Sequence, residues 1–509
     1  MKPLFVMLAV LPFLSACNQP ESPNAELFPA AGAKNVNPDT HLVLTFTDTP
    51  IVGDSGMIRI YDAMSHQIVD SLDLSIPPGP TESRTYGPEC DYTKIPYDYT
   101  RTHMPTNRDT RPGTPSGTAE PTPPDYQLNI IGGFTDAFHF HPIIVRDSTA
   151  TIYLHNNMLD YNHSYYVTID EGVLTLPDHS FHGISKEHNW SFKTKDSAPA
   201  STDTLIVDAT GQGDFNTVQG ALDFIPDFSQ KQTVILIQAG DYEELVYARN
   251  KTNVKIKGAG MERTRVHYAN NEVFNPHPLT VKTNEWPGTF PSRRAAFMLD
   301  NCSDIQLEDL TIATDLHGQA EGLLLNGERI ALYSVHIIGS GDALQANGTI
   351  YMESCELDGG GDTILGRGSL FAYRSNFRNN GGAFSWVRNT AGNHGNIFVE
   401  CTFAAPDGKK ADYGRTKSNH GTAYPDAEFV VINCKVKNII PQGWSAIGEK
   451  SSQMYEFNTC DMETGKPVDV SQRHAYSRQL DAQKDAALIA DYMNPAFVLK
   501  GWKPFSYLK

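Results

Sequence analysis

The sequence predicts an all-β protein in two parts, an N-terminal β-sandwich followed by a right-handed parallel β-helix. Three observations lead there. Short runs of alternating apolar and polar residues fill 28–196, the period-2 pattern of half-buried strands. From residue 305 onward, apolar strands recur at 305–313, 330–339, 350–359, 370–379, 397–406, 429–438 and 454–463. Their start-to-start spacings are 25, 20, 20, 27, 32 and 25 residues, the range in which one repeat makes one coil of a solenoid. Finally, 40 Gly and 32 Pro in 509 residues mark many turns. With 40% hydrophobic and 20% charged residues, the chain is globular rather than disordered or fibrous.

The elements follow in order. Residues 1–16 have the form of a signal peptide: Lys2 is a short basic region and 4–14 is apolar. The sequence Leu14-Ser15-Ala16-Cys17 resembles a bacterial lipoprotein signal, which makes Cys17 the lipid-bearing residue and 17–27 a tether. Asn18 follows the cysteine, which resembles lipoproteins sent to the outer membrane; the side it would face stays open. Beyond this signal no apolar run reaches the ~20 residues of a membrane span.

Segments such as HLVLTF, MIRIYD, TIYLH, SYYVTID and WSFKTKD read as the strands of the sandwich. Their frame over 28–196 resembles bacterial Ig-like domains, interrupted by a Pro-, Thr- and Arg-rich insertion at 84–126, and 197–203 is a linker. His139 and His141 share one face of a strand in this region, but no third ligand accompanies them, so packing is the expected role. Export permits disulfides. The six further cysteines, Cys90, Cys302, Cys355, Cys401, Cys434 and Cys460, are far apart, and five lie in apolar strands as expected free thiols.

Residues 204–509 form the solenoid. A strand (TLIVDA), a glycine turn and a short helix (TVQGALDFIP) open it; Asn216 stands where a dinucleotide fingerprint needs its third glycine, so nucleotide binding is not expected. The strands share a grammar, as in IYMESCEL and IFVECTF, that predicts a ladder of cysteines inside the coil. The pattern at 477–492 predicts a helix packed on one end of the solenoid.

The net charge of −18 argues against nucleic acid as a partner and mildly against free polyanions. Asp342 in GSGDAL and Asp362 in GGGDTIL are 20 residues apart, the spacing of the strands before them. Adjacent rungs lie about 4.8 Å apart, so both carboxylates should share one corner. Two carboxylates so placed cannot both ionise easily, which divides them into an acid and an anion.

The stretches VDATGQGDFNTVQGALDFIP, VILIQAGDYEELV, NVKIKGAG, HGQAEGLLL, GSGDAL, GGGDTILG, YGRT and QGW resemble, in order, pectin methylesterases. These are carbohydrate esterases with a parallel β-helix, and the resemblance covers 204–509. It implies that Asp362 is the nucleophile and Asp342 the acid/base. Gln319 would be one oxyanion donor, and Arg415 the cation that keeps Asp362 ionised and oriented. The implied reaction hydrolyses galacturonate methyl esters of pectin or oligogalacturonate, with no metal or cofactor, by a monomer that meets the membrane only through its lipid. The sequence departs from the family where the second oxyanion glutamine becomes Gly341, where an aromatic becomes Ile364 and Leu365, and where a tryptophan becomes Lys417. Asn347 or Arg367 are candidates to replace the missing donor. Thr314, Gly341, Arg367, Trp386, Lys417 and Trp444 complete the expected substrate cleft. The competing readings are a glycan-binding lipoprotein without activity, an esterase or thioesterase on another substrate, and a polysaccharide lyase.

Overall fold

A computed structural model describes residues 24–81, 126–132, 134, 137–186, 190–276, 293–417 and 424–505. The signal peptide with Cys17, Cys90, and the insertion 84–126 save for Tyr126 lie outside the described residues.

Two sheets face each other in the N-terminal part. One runs Glu26–Phe28, Leu42–Thr45, Thr149–Ile152 and Ile143–Arg146, all antiparallel. The other runs Ala33–Val36, Ser191–Thr194, Ser164–Ile169, Met57–Asp62 and Ile68–Asp73. Alternation decides which side chains meet: Leu42, Leu44, Ile58, Ile60, Tyr165 and Val167 point inward around Trp190 and are buried.

The second part coils twenty strands into one parallel sheet system, from Thr204–Val207 to Ser477–Gln479. Three columns of strands form its walls. The interior holds aliphatic and aromatic side chains in a single core from Leu205 to Met454. The helix Val218–Phe224, with Thr217 capping its N-terminus, buries Val218, Ala221 and Leu222 against the first coil and closes that end.

Register matches the repeat read from the sequence, with one slip. Ile305, Ile330, Ile350 and Leu370 stack in turn. Leu370 then pairs with Asn396, one residue before the expected Ile397. A one-residue shift reverses a strand's faces, so Ile397 points outward and Phe398 points into the coil. The outer apolar row of Ala331, Tyr351, Phe371, Ile397 and Val430, with Tyr333 beside it, explains the C-terminal helices. Ala486–Tyr492 and Pro495–Val498 lay Ile489, Tyr492 and Val498 along this flank. The expected helix over 477–492 is thus shorter, since Ser477–Gln479 is the last strand, and it covers a side of the solenoid rather than an end.

The cysteine ladder is also narrower than expected. Cys401 stacks on Cys434, with Ser375 and Cys355 on the rungs before, while Cys302 occupies a different turn and Cys460 sits one residue out of line. All five described cysteines are free thiols. Each ladder residue follows one in the left-handed region, namely Ser354, Arg374, Glu400 and Asn433, because the chain turns sharply at that corner.

The two parts meet along a packed seam. Ile131, Phe134 and Phe138 of the first lie against Tyr247, Tyr268, Phe274 and Ala295 of the second. Gly132, at φ +58°, approaches so closely that a Cβ there would sit 1.8 Å from the Tyr247 carbonyl oxygen. His139 Nδ1 meets the Phe274 carbonyl at 2.6 Å, and the His141 ring stacks on Phe274 with centroids 4.7 Å apart. Both histidines pack this seam. Nearby, His267 lies between Asp241 and Asp315, and Arg146 reaches across to Glu243. Burial disfavours the His267 charge, but the two carboxylates outweigh it and hold the imidazole up to about 9. A ring protonated in this way pairs with both carboxylates.

Candidate active site

The third column of the solenoid starts at Phe297, Leu323, Leu344 and Ile364 on successive rungs. Two residues before the last three of these stand Glu321, Asp342 and Asp362. Register therefore stacks three carboxylates in one line where the chain turns into the column. Beyond Ala383 the line continues to Asp412, which burial pushes up to about 6.

A cation stands at each end of the three. Arg415 gives Nε to Asp362 Oδ1 at 2.7 Å and Nη2 to Oδ2 at 2.5 Å. Its Nη1 donates to the Lys417 carbonyl at 2.8 Å, which holds the fork in place. At the other end, Arg294 gives Nε to both oxygens of Glu321, at 2.9 and 2.8 Å. Its Nη2 reaches Asp342 Oδ2 at 2.9 Å, and its Nη1 reaches Gln319 Oε1 at 2.5 Å. Burial alone would weaken the Arg294 charge, yet Glu321 and Asp342 hold it more firmly protonated than usual.

Two guanidiniums among three carboxylates leave the middle one to take a proton. Asp342 is 6% exposed. Burial is the largest influence on it and pushes it up. Arg294 opposes, Glu321 and Asp362 add to the push, and the balance stands at about 7. Asp362 keeps more contact with solvent, its side chain being 17% exposed.

The remaining expected residues divide. Gln319 is exposed at the cleft. Trp386 is half-buried and lies between two guanidiniums, Arg415 at 4.4 Å and Arg388 at 4.5 Å from its ring centroid. Arg367 lies near Arg388, whose charge burial disfavours most and Arg367 next, down to about 10. Lys417 is exposed and contributes its backbone carbonyl to Arg415.

Three candidates are corrected. Trp444 is fully buried against Tyr413, with centroids 5.0 Å apart, so it fills the core and cannot stack on a sugar. Thr314 is buried and donates to the Asn270 carbonyl at 2.6 Å. Asn347 cannot replace the missing donor, because its Nδ2 is committed to Asn326 and its Oδ1 to the Arg367 backbone N–H. Position 341 has no room for a side chain: its N–H donates to Gly318 O at 2.6 Å, and a Cβ would lie 2.6 Å from that same oxygen.

Arg294, Glu321 and Arg388 were not picked out from the sequence. Glu321 carried a signal in its spacing, 21 residues before Asp342. Arg294 carried none.

A family model described as Pectinesterase matches residues 204–499. The Arabidopsis thaliana protein named "Probable pectinesterase 8" is 24% identical over 327 residues, spanning 58% of this chain and 76% of the relative. "Pectinesterase QRT1" from the same plant is 26% identical over 292 residues, spanning 52% of this chain and 70% of the relative. Among solved structures, the pectin methylesterase from carrot superposes with a TM-score of 0.49 at 18% identity, covering 61% of this chain and 99% of its own.

Proposed function

The chain belongs to the pectinesterase family through residues 204–499, and on that premise we propose that Asp362 is its nucleophile and Asp342 its acid/base. The protein is a carboxylic ester hydrolase that acts on the methyl esters of pectin, releasing methanol and leaving pectate. The carboxylate line of Glu321, Asp342 and Asp362, with a guanidinium at each end, is the observation that carries the residue assignment.

The chemistry follows from that arrangement. An oxygen of Asp362, positioned by the Arg415 fork, attacks the carbonyl carbon of the methyl ester. As the new C–O bond forms, the carbonyl oxygen takes negative charge, which the Gln319 amide N–H meets. Collapse breaks the bond to methoxide, and Asp342 gives that oxygen its proton so that methanol leaves. Asp342, now ionised, takes a proton from water. The resulting hydroxide attacks the acyl carbon, Asp362 is released as carboxylate, and the product uronic acid loses its proton to solvent. Trp386, half-buried against the Arg415 that clamps Asp362, is the aromatic ring beside the reaction centre that a sugar residue could meet. Methanol release from highly methylated pectin by the mature protein tests the reading; an unsaturated product in place of methanol would identify a lyase. A role in glycan binding alone is not favoured, since binding needs no protonated acid stacked on a clamped anion.

The signal-like sequence Leu14-Ser15-Ala16-Cys17, followed by Asn18, supports a second reading, of location. In it the protein is a lipoprotein anchored through Cys17 to a bacterial outer membrane, with its sandwich an Ig-like domain. Cys17→Ser should move the protein from the membrane pellet to the soluble fraction. A wild-type protein that carries no lipid overturns the anchor.

A further inference from the structure

We propose that Arg294 and Glu321 form a positioning pair that does the work of the absent second glutamine, Arg294 by turning the Gln319 amide toward the oxyanion and Glu321 by letting Asp342 keep its proton. This rests on the pectinesterase reading and adds to it two residues outside the set that the family resemblance supplies.

Position 341 cannot hold the missing amide. The Gly318 carbonyl oxygen lies where its Cβ would begin, and the two backbones are hydrogen-bonded there. The groups on either side of that position, Gln319 and Asp342, are both bonded to the same guanidinium. Arginine donates and never accepts. The Gln319 amide must therefore present its oxygen to Arg294, which leaves its NH₂ as the group that can donate to substrate. A cation on the amide oxygen also polarises the amide and strengthens that N–H as a donor.

A lone guanidinium 2.9 Å from Asp342 would strip the proton that the leaving group needs. Burial of Asp342 opposes this first, and Glu321 adds to it. Glu321 is fully buried and receives Nε through both of its oxygens, so the pair presents little net charge to Asp342 while keeping its geometry.

The backbone that carries Arg294 is fixed on both sides. Asn270 Nδ2 bonds the carbonyls of Arg293 at 2.9 Å and Ala295 at 2.8 Å, and Asn275 orients that amide by donating to Asn270 Oδ1 at 2.9 Å. Thr314 ties down the Asn270 carbonyl, which gives it a purpose other than the expected substrate contact. Tyr247 Oη adds a third bond, to Ala295 O at 2.9 Å.

The test compares wild type with Arg294→Gln, Arg294→Lys and Glu321→Gln on methylated oligogalacturonate, reading kcat, KM and the pH profile of kcat/KM. Arg294→Gln should lower kcat by roughly 10²–10³-fold, the cost of a lost oxyanion donor, with KM changed less than about threefold. Arg294→Lys should recover little of the loss, because an ammonium cannot serve Glu321, Gln319 and Asp342 together. Glu321→Gln keeps its shape but uncovers the Arg294 charge, so the alkaline limb of the profile should move to lower pH. That limb would not move if the pair were merely structural, and it decides the matter should the Arg294 variants fail to fold. An unmoved limb, or an Arg294→Gln variant that folds with kcat within threefold of wild type, overturns the pair. Wild type that releases no methanol overturns the esterase reading and the pair together; active wild type with indifferent variants overturns the pair alone.

Discussion

Asp342 and Asp362 are the same residue type, one rung apart, and each is bonded to a guanidinium. Their surroundings differ in burial and in how the guanidiniums are shared. Arg415 turns two nitrogens to Asp362 and spends its third on a backbone carbonyl. Arg294 spends its Nε on Glu321 and leaves Asp342 one hydrogen bond. The comparison teaches that a cation's presence beside a carboxylate does not settle its protonation state. For Asp342 burial weighs most, and the single bond from a shared Arg294 does not overcome it.

The largest effect should come from breaking the clamped side. Asp362→Asn keeps the shape of the turn but removes the attacking anion, so methanol release should fall by roughly 10³-fold or more while the melting curve stays close to wild type. Activity within about tenfold of wild type would remove Asp362 as nucleophile. The pH profile sharpens the shared side. Asp342 must start protonated, and its carboxyl stands at about 7. The fraction able to donate a proton therefore shrinks above that value, and kcat/KM should drop about tenfold per pH unit on the alkaline side. In Asp342→Asn the same limb should vanish from whatever rate remains.

The smallest effect concerns the gap between the two carboxylates. Family resemblance alone suggests that restoring the glutamine with Gly341→Gln would raise kcat. The contact at 2.6 Å to the Gly318 oxygen points the other way. The variant should show kcat no higher than wild type and a lower melting midpoint, with an overpacking cost of about 1–3 kcal/mol. Raised kcat would mean that the 318–319 turn gives way more cheaply than its hydrogen bond indicates.

The solenoid was legible because burial on every rung forces the same apolar grammar to recur, and the 20-residue step between Asp342 and Asp362 equals that of their strands. The clamp and Gln319 were legible only through family resemblance, since nothing in the spacing of Arg415 connects it to Asp362. Arg294 was illegible for a physical reason. It lies two rungs from Asp342 but 48 residues away, and loops of unequal length between rungs erase any fixed period. Trp444 misled because an aromatic residue fits a sugar platform and a solenoid core equally well on paper. Only Tyr413 and Phe429 beside it decide between them.

Arg293, next to Arg294 in the chain, lies over the rings of Phe134 and Phe138, 4.8 Å from each centroid. Those rings belong to the N-terminal part, at a separate hairpin of Leu128–Asn129 and Phe138–His139. The N-terminal part of the protein is therefore not a detachable cassette: its aromatic pair grips the residue next to Arg294. Shuffling that part for another, however well the newcomer folds, would release the handle by which the reaction centre is held to shape.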